Sequence, residues 1–136
     1  MQTFLPFADF TRSAATLDPR RLNKQRVEAF QILRAITDDT YGWQHHPAVT
    51  MWRGHQHALA VYGLAMCAAW DARGGADDAD LAGRIAAFKT GPADRPHWLG
   101  DPEFHRSHRS NLSRKDPAYY GQFWLEPADL PYIWPV

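Results

Sequence analysis

The stretch from Arg20 to Arg34 places one carboxylate among cations, and this is where the sequence first suggests chemistry. Glu28 is the only acid there, and the cations are Arg20, Arg21, Lys24, Arg26 and Arg34. Arg21, Lys24, Glu28 and Gln31 follow at spacings of three, four and three, so they share one face of a helix. A lone carboxylate among cations is held ionised and can act as a base or stabilise a developing cation. The alternative, which spacing alone favours, is a solvated helix face with ion pairs one turn apart.

A second polar stretch, residues 105–115, contains cations and no acid. Its candidate nucleic-acid contacts are His105, Arg106, His108, Arg109, Arg114 and Lys115. Serine and asparagine side chains stand between them, and this density of hydroxyl, amide and guanidinium groups suits phosphate oxygens. An ordinary exposed helix is an equal alternative. The two histidines could share a metal ion at this spacing, but no cysteine pair or HExxH motif supports a metal site, and none is expected.

Helix signals around these stretches predict an all-α fold in one domain, residues 1–136. An aspartate followed by a proline marks the start of a helix at Asp18-Pro19 and at Asp101-Pro102. Apolar residues recur at helical spacing after Asp18-Pro19 and in the next two expected helices, and periodic strand signals are absent. The expected helices run from about residue 19 to 36, from Pro47 to Gly74, from residues 77–80 to Gly91, and from Asp101 to about Lys115. We therefore expect a bundle of about four helices and an irregular C-terminal segment rich in aromatic residues and proline.

The composition excludes several classes of protein. The chain has 136 residues, of which 45% are hydrophobic and 22% charged, as in a globular domain rather than a disordered chain. Cys67 is the only cysteine, so no intrachain disulfide can form. The lack of a signal peptide and of a long apolar run predicts a cytoplasmic protein without a membrane partner. The net charge is zero, but the separation of the basic stretches from the acidic stretch 71–103 still allows a basic face.

The order of these features resembles the pyrimidine-dimer DNA glycosylases of the phage endonuclease V type. The shared features are the basic stretch that leads to Glu28, the long second helix with Cys67 near its end, and the polar stretch followed by Tyr119-Tyr120. They occur in the same order over most of the chain. The resemblance implies a compact, all-helical DNA-repair enzyme without metal or cofactor, which removes a pyrimidine dimer or related lesion from double-stranded DNA. It also implies that the enzyme is a monomer.

The resemblance also implies which groups form the site. In that family the N-terminal α-amine attacks the sugar C1′ and forms a Schiff base, while a glutamate supports cleavage of the glycosidic bond. The imine then permits strand scission at the abasic site. Gln2 is too large for ordinary removal of the first methionine, so the expected catalytic groups are the Met1 amine and Glu28. In the first stretch the residues expected to contact DNA are Arg21, Lys24, Arg26 and Gln31, and cations on both sides of the site are expected to hold the flanking phosphates.

Two alternatives remain open at this point. One is a non-catalytic nucleic-acid-binding module on the same scaffold, and the other is a protein-interaction domain. The catalytic hypothesis makes a structural demand that the alternatives do not make. The Met1 amine must lie within hydrogen-bond reach of Glu28, directly or through one water, and residues 1–4 must be ordered, which is unusual for a terminus.

Overall fold

The computed structural model describes residues 1–136 and consists of helices joined by turns and loops, without β-strands. The helices are α1 (Phe10–Thr16), α2 (Pro19–Thr37), α3 (Pro47–Thr50), α4 (Gln56–Ala72), α5 (Leu81–Ala86), α6 (Pro102–Lys115) and α7 (Pro117–Tyr120). The all-α prediction is confirmed. None of these helices combines the length and the apolar composition that crossing a membrane requires.

Aspartate caps fix the starts of the two helices that carry the basic residues. The Asp18 carboxylate accepts a hydrogen bond from the Arg21 N–H, and Pro19 takes the first position of α2, where a missing N–H costs nothing. At the start of α6 the Asp101 carboxylate accepts a hydrogen bond from the Glu103 N–H, and Pro102 takes the first helical position. Both helices therefore begin where the sequence signals predict.

The helix expected from Pro47 to Gly74 is divided into α3 and α4. A turn over residues 51–55 separates them, and Gly54 there has a φ of 82°, a left-handed conformation that glycine adopts without steric penalty. His46 caps α3, because its Nδ1 accepts a hydrogen bond from the Ala48 N–H. The break lets α4 begin in a new direction and form the long central helix of the bundle.

The centre of the bundle is the contact between α2 and α4, and α1 and α5 pack around it. Small residues allow the close approach, since a Cβ added to Gly63 of α4 would lie only 3.2 Å from the Ala29 Cβ of α2. Burial of apolar surface against these helices is the main stabilising term of the fold. The largest fully buried side chains include Trp52, Tyr62, Tyr120 and Phe104.

The first six residues, here called the N-terminal segment, run through the interior of the molecule. Gln2 to Pro6 are all buried, in agreement with the order that the catalytic hypothesis demands. The segment belongs to no helix or strand, so its backbone N–H and C=O groups need partners from elsewhere. Side chains of α2, α4 and α6 are those partners, as the next subsection describes.

Residues 121–136, here called the C-terminal tail, lie across α6 without forming a helix. The Ser107 hydroxyl accepts a hydrogen bond from the Ile133 N–H, and the Ser110 hydroxyl accepts one from the Leu130 N–H. The Asn111 amide donates to the Leu130 carbonyl at 3.0 Å. The polar side chains of α6 therefore satisfy the backbone of an irregular neighbour.

Candidate active site

An open pocket lies where the N-terminal segment meets the first half of α2. Its volume is about 570 Å³. It is lined by Met1, Gln2, Phe4, Arg20, Arg21, Lys24, Glu28, Lys115, Asp116 and Tyr132. A second depression of about 370 Å³, near Arg53 and His57, has no carboxylate in its lining. The pocket at the N-terminal segment is the candidate active site because it brings Met1 and Glu28 together with cations of α2.

Glu28 is the centre of this pocket. It is only 7% exposed, although it lines the cavity. Its Oε2 accepts a hydrogen bond from the Gln2 N–H at 2.6 Å, and its Oε1 lies 3.6 Å from the Lys24 ammonium nitrogen. Short bonds to a carboxylate are charge-assisted and geometrically specific. The carboxylate is therefore held against the first peptide bond of the chain.

The Met1 amine must lie close to the same carboxylate. Backbone nitrogens of adjacent residues are at most about 3.6 Å apart. Given the 2.6 Å bond from the Gln2 nitrogen, the amine is within about 6 Å of Glu28 Oε2. The ion pair of Glu28 is made with Lys24 and not with the amine.

The His46 imidazole lies near both the Met1 amine and the Glu28 carboxylate. Burial lowers the pKa of the His46 imidazole. The charge of the Met1 amine lowers that pKa further, whereas the charge of Glu28 raises it. Charges act in this way only over short distances, so all three groups are neighbours.

Gln25 ties the N-terminal segment to the helix that carries Glu28. Its Oε1 accepts hydrogen bonds at 2.6 Å from the Phe4 N–H and at 2.6 Å from the Tyr62 hydroxyl. Its Nε2 donates to the Gln2 carbonyl at 2.9 Å. Because Gln25 stands three residues before Glu28, both side chains reach the segment from the same side of α2. Gln25 and Glu28 of α2 therefore hold the first residues of the chain together.

The two histidines of α6 hold the next part of the segment. His108 Nδ1 accepts from the Leu5 N–H at 2.9 Å, and His105 Nδ1 donates to the Leu5 carbonyl at 2.8 Å. His105 Nε2 accepts from the Gly100 N–H, so both rings are neutral in this arrangement. Burial lowers the pKa of His105 and lowers that of His108 to about 3. With exposures of 5% and 1%, these histidines position the N-terminal segment and do not reach a phosphate, which corrects the sequence-based expectation.

The arginines of α6 are also bonded inside the molecule. Arg106 and Arg109 pair with Glu126 of the C-terminal tail at 3.4 Å and 2.8 Å. Arg109 donates in addition to a backbone carbonyl of the N-terminal segment, and Arg114 donates to Asn111. Among the α6 residues expected to contact nucleic acid, only Lys115, at the end of the helix, lines the pocket. The expectation that the whole of α6 flanks the cleft is corrected accordingly.

On α2 the structure divides the predicted face in two. Arg21, Lys24 and Glu28 line the pocket together, as their spacing predicts. Gln31 is half-buried and outside the pocket. Arg26 is 5% exposed and donates to Asp77 at 2.8 Å. Two residues correspond to about 200° of helical rotation, so Arg26 lies on the other side of α2 from Glu28 and its expected role in DNA contact is corrected.

Several pocket residues were not singled out as site residues by the sequence. They are Gln2, Phe4, Arg20, Asp116 and Tyr132. Arg20 had a signal, because it belongs to the same basic stretch as Arg21 and Lys24. Tyr132 had no such signal in the sequence, because it belongs to the irregular C-terminal tail, and a segment without periodic structure cannot be placed from a periodic pattern.

The pocket combines the first residue of the chain, a carboxylate and exposed cations at its rim. Lys24 is 71% exposed, and Arg20 and Lys115 are exposed as well. Arg21 is partly engaged, since it pairs with Asp18 at 3.2 Å. An amine beside a carboxylate can attack a carbon that develops positive charge, and cations at the rim can hold an anionic polymer.

Comparison with known proteins was made against protein families, curated proteins and solved structures. A family model described as pyrimidine dimer DNA glycosylase matches residues 1–82. The matched region includes Met1, Glu28 and the cations of α2, whereas Lys115 and Tyr132 lie outside it. The comparisons with curated proteins and with solved structures found no match.

Proposed function

The chain belongs to the pyrimidine dimer DNA glycosylase family, and from this premise we propose that the Met1 amine and Glu28 excise a damaged pyrimidine and then cut the DNA strand. The observation that carries the proposal is the 2.6 Å bond from the Gln2 N–H to Glu28. It sets the chain terminus beside the one buried carboxylate of the pocket. A buried acid and an N-terminal amine in one open cavity are the two groups that this chemistry needs.

The reaction follows from the positions of these groups. The neutral amine attacks C1′ of the damaged nucleotide, and the base leaves with the electron pair of the glycosidic bond. Glu28 stabilises the positive charge that develops on the sugar and accepts a proton from the attacking amine. Opening of the sugar ring gives an imine between the Met1 nitrogen and C1′. Loss of a C2′ proton then expels the 3′ phosphate and breaks the strand.

Double-stranded DNA is the proposed partner because the pocket is open and its rim carries exposed cations. Arg20, Lys24 and Lys115 are free to contact phosphates on both sides of the lesion. The residues that line the pocket come from the N-terminal segment, from α2, from the end of α6 and from the C-terminal tail of the same chain. We therefore also propose that residues 1–136 act as one domain and as a monomer.

The test is cleavage of the glycosidic bond at one pyrimidine of a single cyclobutane thymine dimer in a duplex. It is scored as strand breakage after alkali, because the cyclobutane bonds keep the released base attached to its neighbour. Glu28→Gln keeps the shape of the side chain and removes its charge, so base removal should fall by about 10³-fold or more while DNA binding stays close to that of the wild type. Glu103→Gln, at an exposed position at the start of α6, is the matched control and should retain full activity. Dimer binding by the wild type without any cleavage of the glycosidic bond would instead favour the non-catalytic binding module.

A further inference from the structure

Gln2 leaves a hydrogen-bond donor unused inside the active-site pocket. The residue is 7% exposed and lines the pocket beside Glu28. Its side-chain Nε2 is buried and has no hydrogen-bond partner. Buried polar groups are nearly always paired, because an unpaired donor has lost its bonds to water without replacement. The mechanism given above assigns no role to this amide.

The orientation of the amide is fixed by its other bonds. The Gln2 N–H donates to Glu28, and the Gln2 carbonyl accepts from Gln25. The side-chain Oε1 accepts from the Thr3 N–H at 2.9 Å. If the amide oxygen and nitrogen were exchanged, the Nε2 donor would face the Thr3 N–H, which is also a donor. The nitrogen is therefore the end that faces away from the backbone and stays without a partner.

Tyr132 is the polar neighbour of this amide across the pocket. Burial raises the pKa of the Tyr132 hydroxyl, and a hydrogen-bond interaction with the Gln2 side chain lowers that pKa in part. The contact does not reach full hydrogen-bond geometry, because Nε2 is left without a partner. The Gln2 donor is therefore not saturated by Tyr132.

We propose that Gln2 Nε2 donates a hydrogen bond to the C2 carbonyl oxygen of the pyrimidine that leaves. This inference rests on the proposed function. When the glycosidic bond breaks, its electron pair passes to N1 of the base and spreads onto the C2 oxygen, where a fixed donor stabilises it. The base then takes up one proton, which balances the proton lost by the amine. The C2 oxygen is the natural partner because it is close to C1′, which is attacked by the amine of the preceding residue.

Two substitutions separate the donor from the rest of the side chain. Gln2→Glu keeps an acceptor for the Thr3 N–H and replaces the amide nitrogen with oxygen. Gln2→Met removes both polar ends at similar length. Both residues are large, so Met1 stays at the terminus in each variant. Gln122→Met is the control, because Gln122 is an exposed glutamine whose amide bonds to Tyr119 outside the pocket.

The experiment measures single-turnover rates on two duplexes, one with a thymine dimer and one with a preformed abasic site. The abasic duplex has no leaving base, so its scission reports only on the amine and on correct folding. Both Gln2 variants should remove the base about 10²-fold to 10³-fold more slowly, with scission of the abasic duplex close to the wild-type rate. The control should match the wild type on both duplexes.

Three results would overturn the inference while leaving the proposed function in place. The first is an equal loss of rate on both duplexes, which would assign Gln2 to holding the terminus. The second is no loss of rate on either duplex. The third is a loss of rate in Gln2→Met but not in Gln2→Glu. A wild-type protein that acts on neither duplex would overturn the proposed function itself and this inference with it. The two failures are therefore distinguishable by the behaviour of the wild type.

Discussion

Helices α2 and α6 are both basic and both begin at an aspartate followed by a proline, yet they use their polar residues differently. α2 packs against α4, a helix whose backbone groups already bond to one another, and Arg20 and Lys24 remain exposed at the pocket. α6 lies between the N-terminal segment and the C-terminal tail, which have no regular hydrogen bonding of their own. Its histidines, arginines and serines bond to those two segments.

The difference shows that the neighbours of a polar helix decide whether its side chains are available to a ligand. Backbone groups of irregular segments must be satisfied when they are buried, and side chains of an adjacent helix are the nearest partners. α6 positions the amine through Leu5, and α2 positions the carboxylate. The candidate active site therefore depends on both helices, but of the α6 cations only Lys115 lines the pocket.

The largest expected effect is on the pH dependence of the free energy of unfolding. It tests whether α6 holds the N-terminal segment through the buried His108. Folding holds the pKa of His108 at about 3, against 6.5 for the ordinary value. Below pH 6.5 the unfolded chain takes up a proton that the folded chain excludes, so stability is lost as the pH falls towards the folded pKa. The limiting slope is roughly 1.4 kcal/mol per pH unit for this one group.

Chemical denaturation between pH 7.5 and pH 4.5 measures this slope. His108→Leu removes the titrating ring and should make the dependence shallower by that amount, although the variant is less stable at neutral pH because the Leu5 N–H loses its acceptor. His97→Leu, at an exposed position, is the control. An identical slope in the wild type and in His108→Leu would show that α6 does not hold the N-terminal segment through a neutral histidine.

A smaller effect is expected from the free cations of α2. Lys24→Gln should weaken binding to duplex DNA and lower the slope of log affinity against log salt by about 0.9, the value of one phosphate contact. Arg106→Gln is the matched substitution on α6, and its salt slope should stay unchanged because Arg106 is paired with Glu126. Fluorescence anisotropy at several salt concentrations measures both. The reverse pattern, with the slope lowered only by Arg106→Gln, would assign the DNA contact to α6.

Much of the fold could be predicted from the sequence because its signals are local. The Asp-Pro caps mark the starts of α2 and α6, and helical spacing brings Lys24 and Glu28 to one face. The division at Gly54 could not be predicted, since a single glycine does not by itself end a helix.

The roles of the polar residues in α6 could not be predicted, because they depend on partners far away in the chain. His108 bonds to Leu5, about a hundred residues earlier, and Tyr132 reaches the pocket from the tail. Such contacts leave no periodic pattern in the sequence. Composition alone cannot distinguish a phosphate-binding helix from one that satisfies buried backbone groups.

The central claim is that the Met1 amine is the nucleophile, and borohydride trapping on dimer-containing DNA tests it most directly. Reduction of the imine fixes the DNA to the attacking residue, which peptide mass spectrometry then identifies. The structure predicts an adduct on the N-terminal peptide, at the Met1 nitrogen, and its loss when the amine is acetylated. An adduct on Lys24, which lies 3.6 Å from Glu28, would contradict the claim and move the nucleophile to α2.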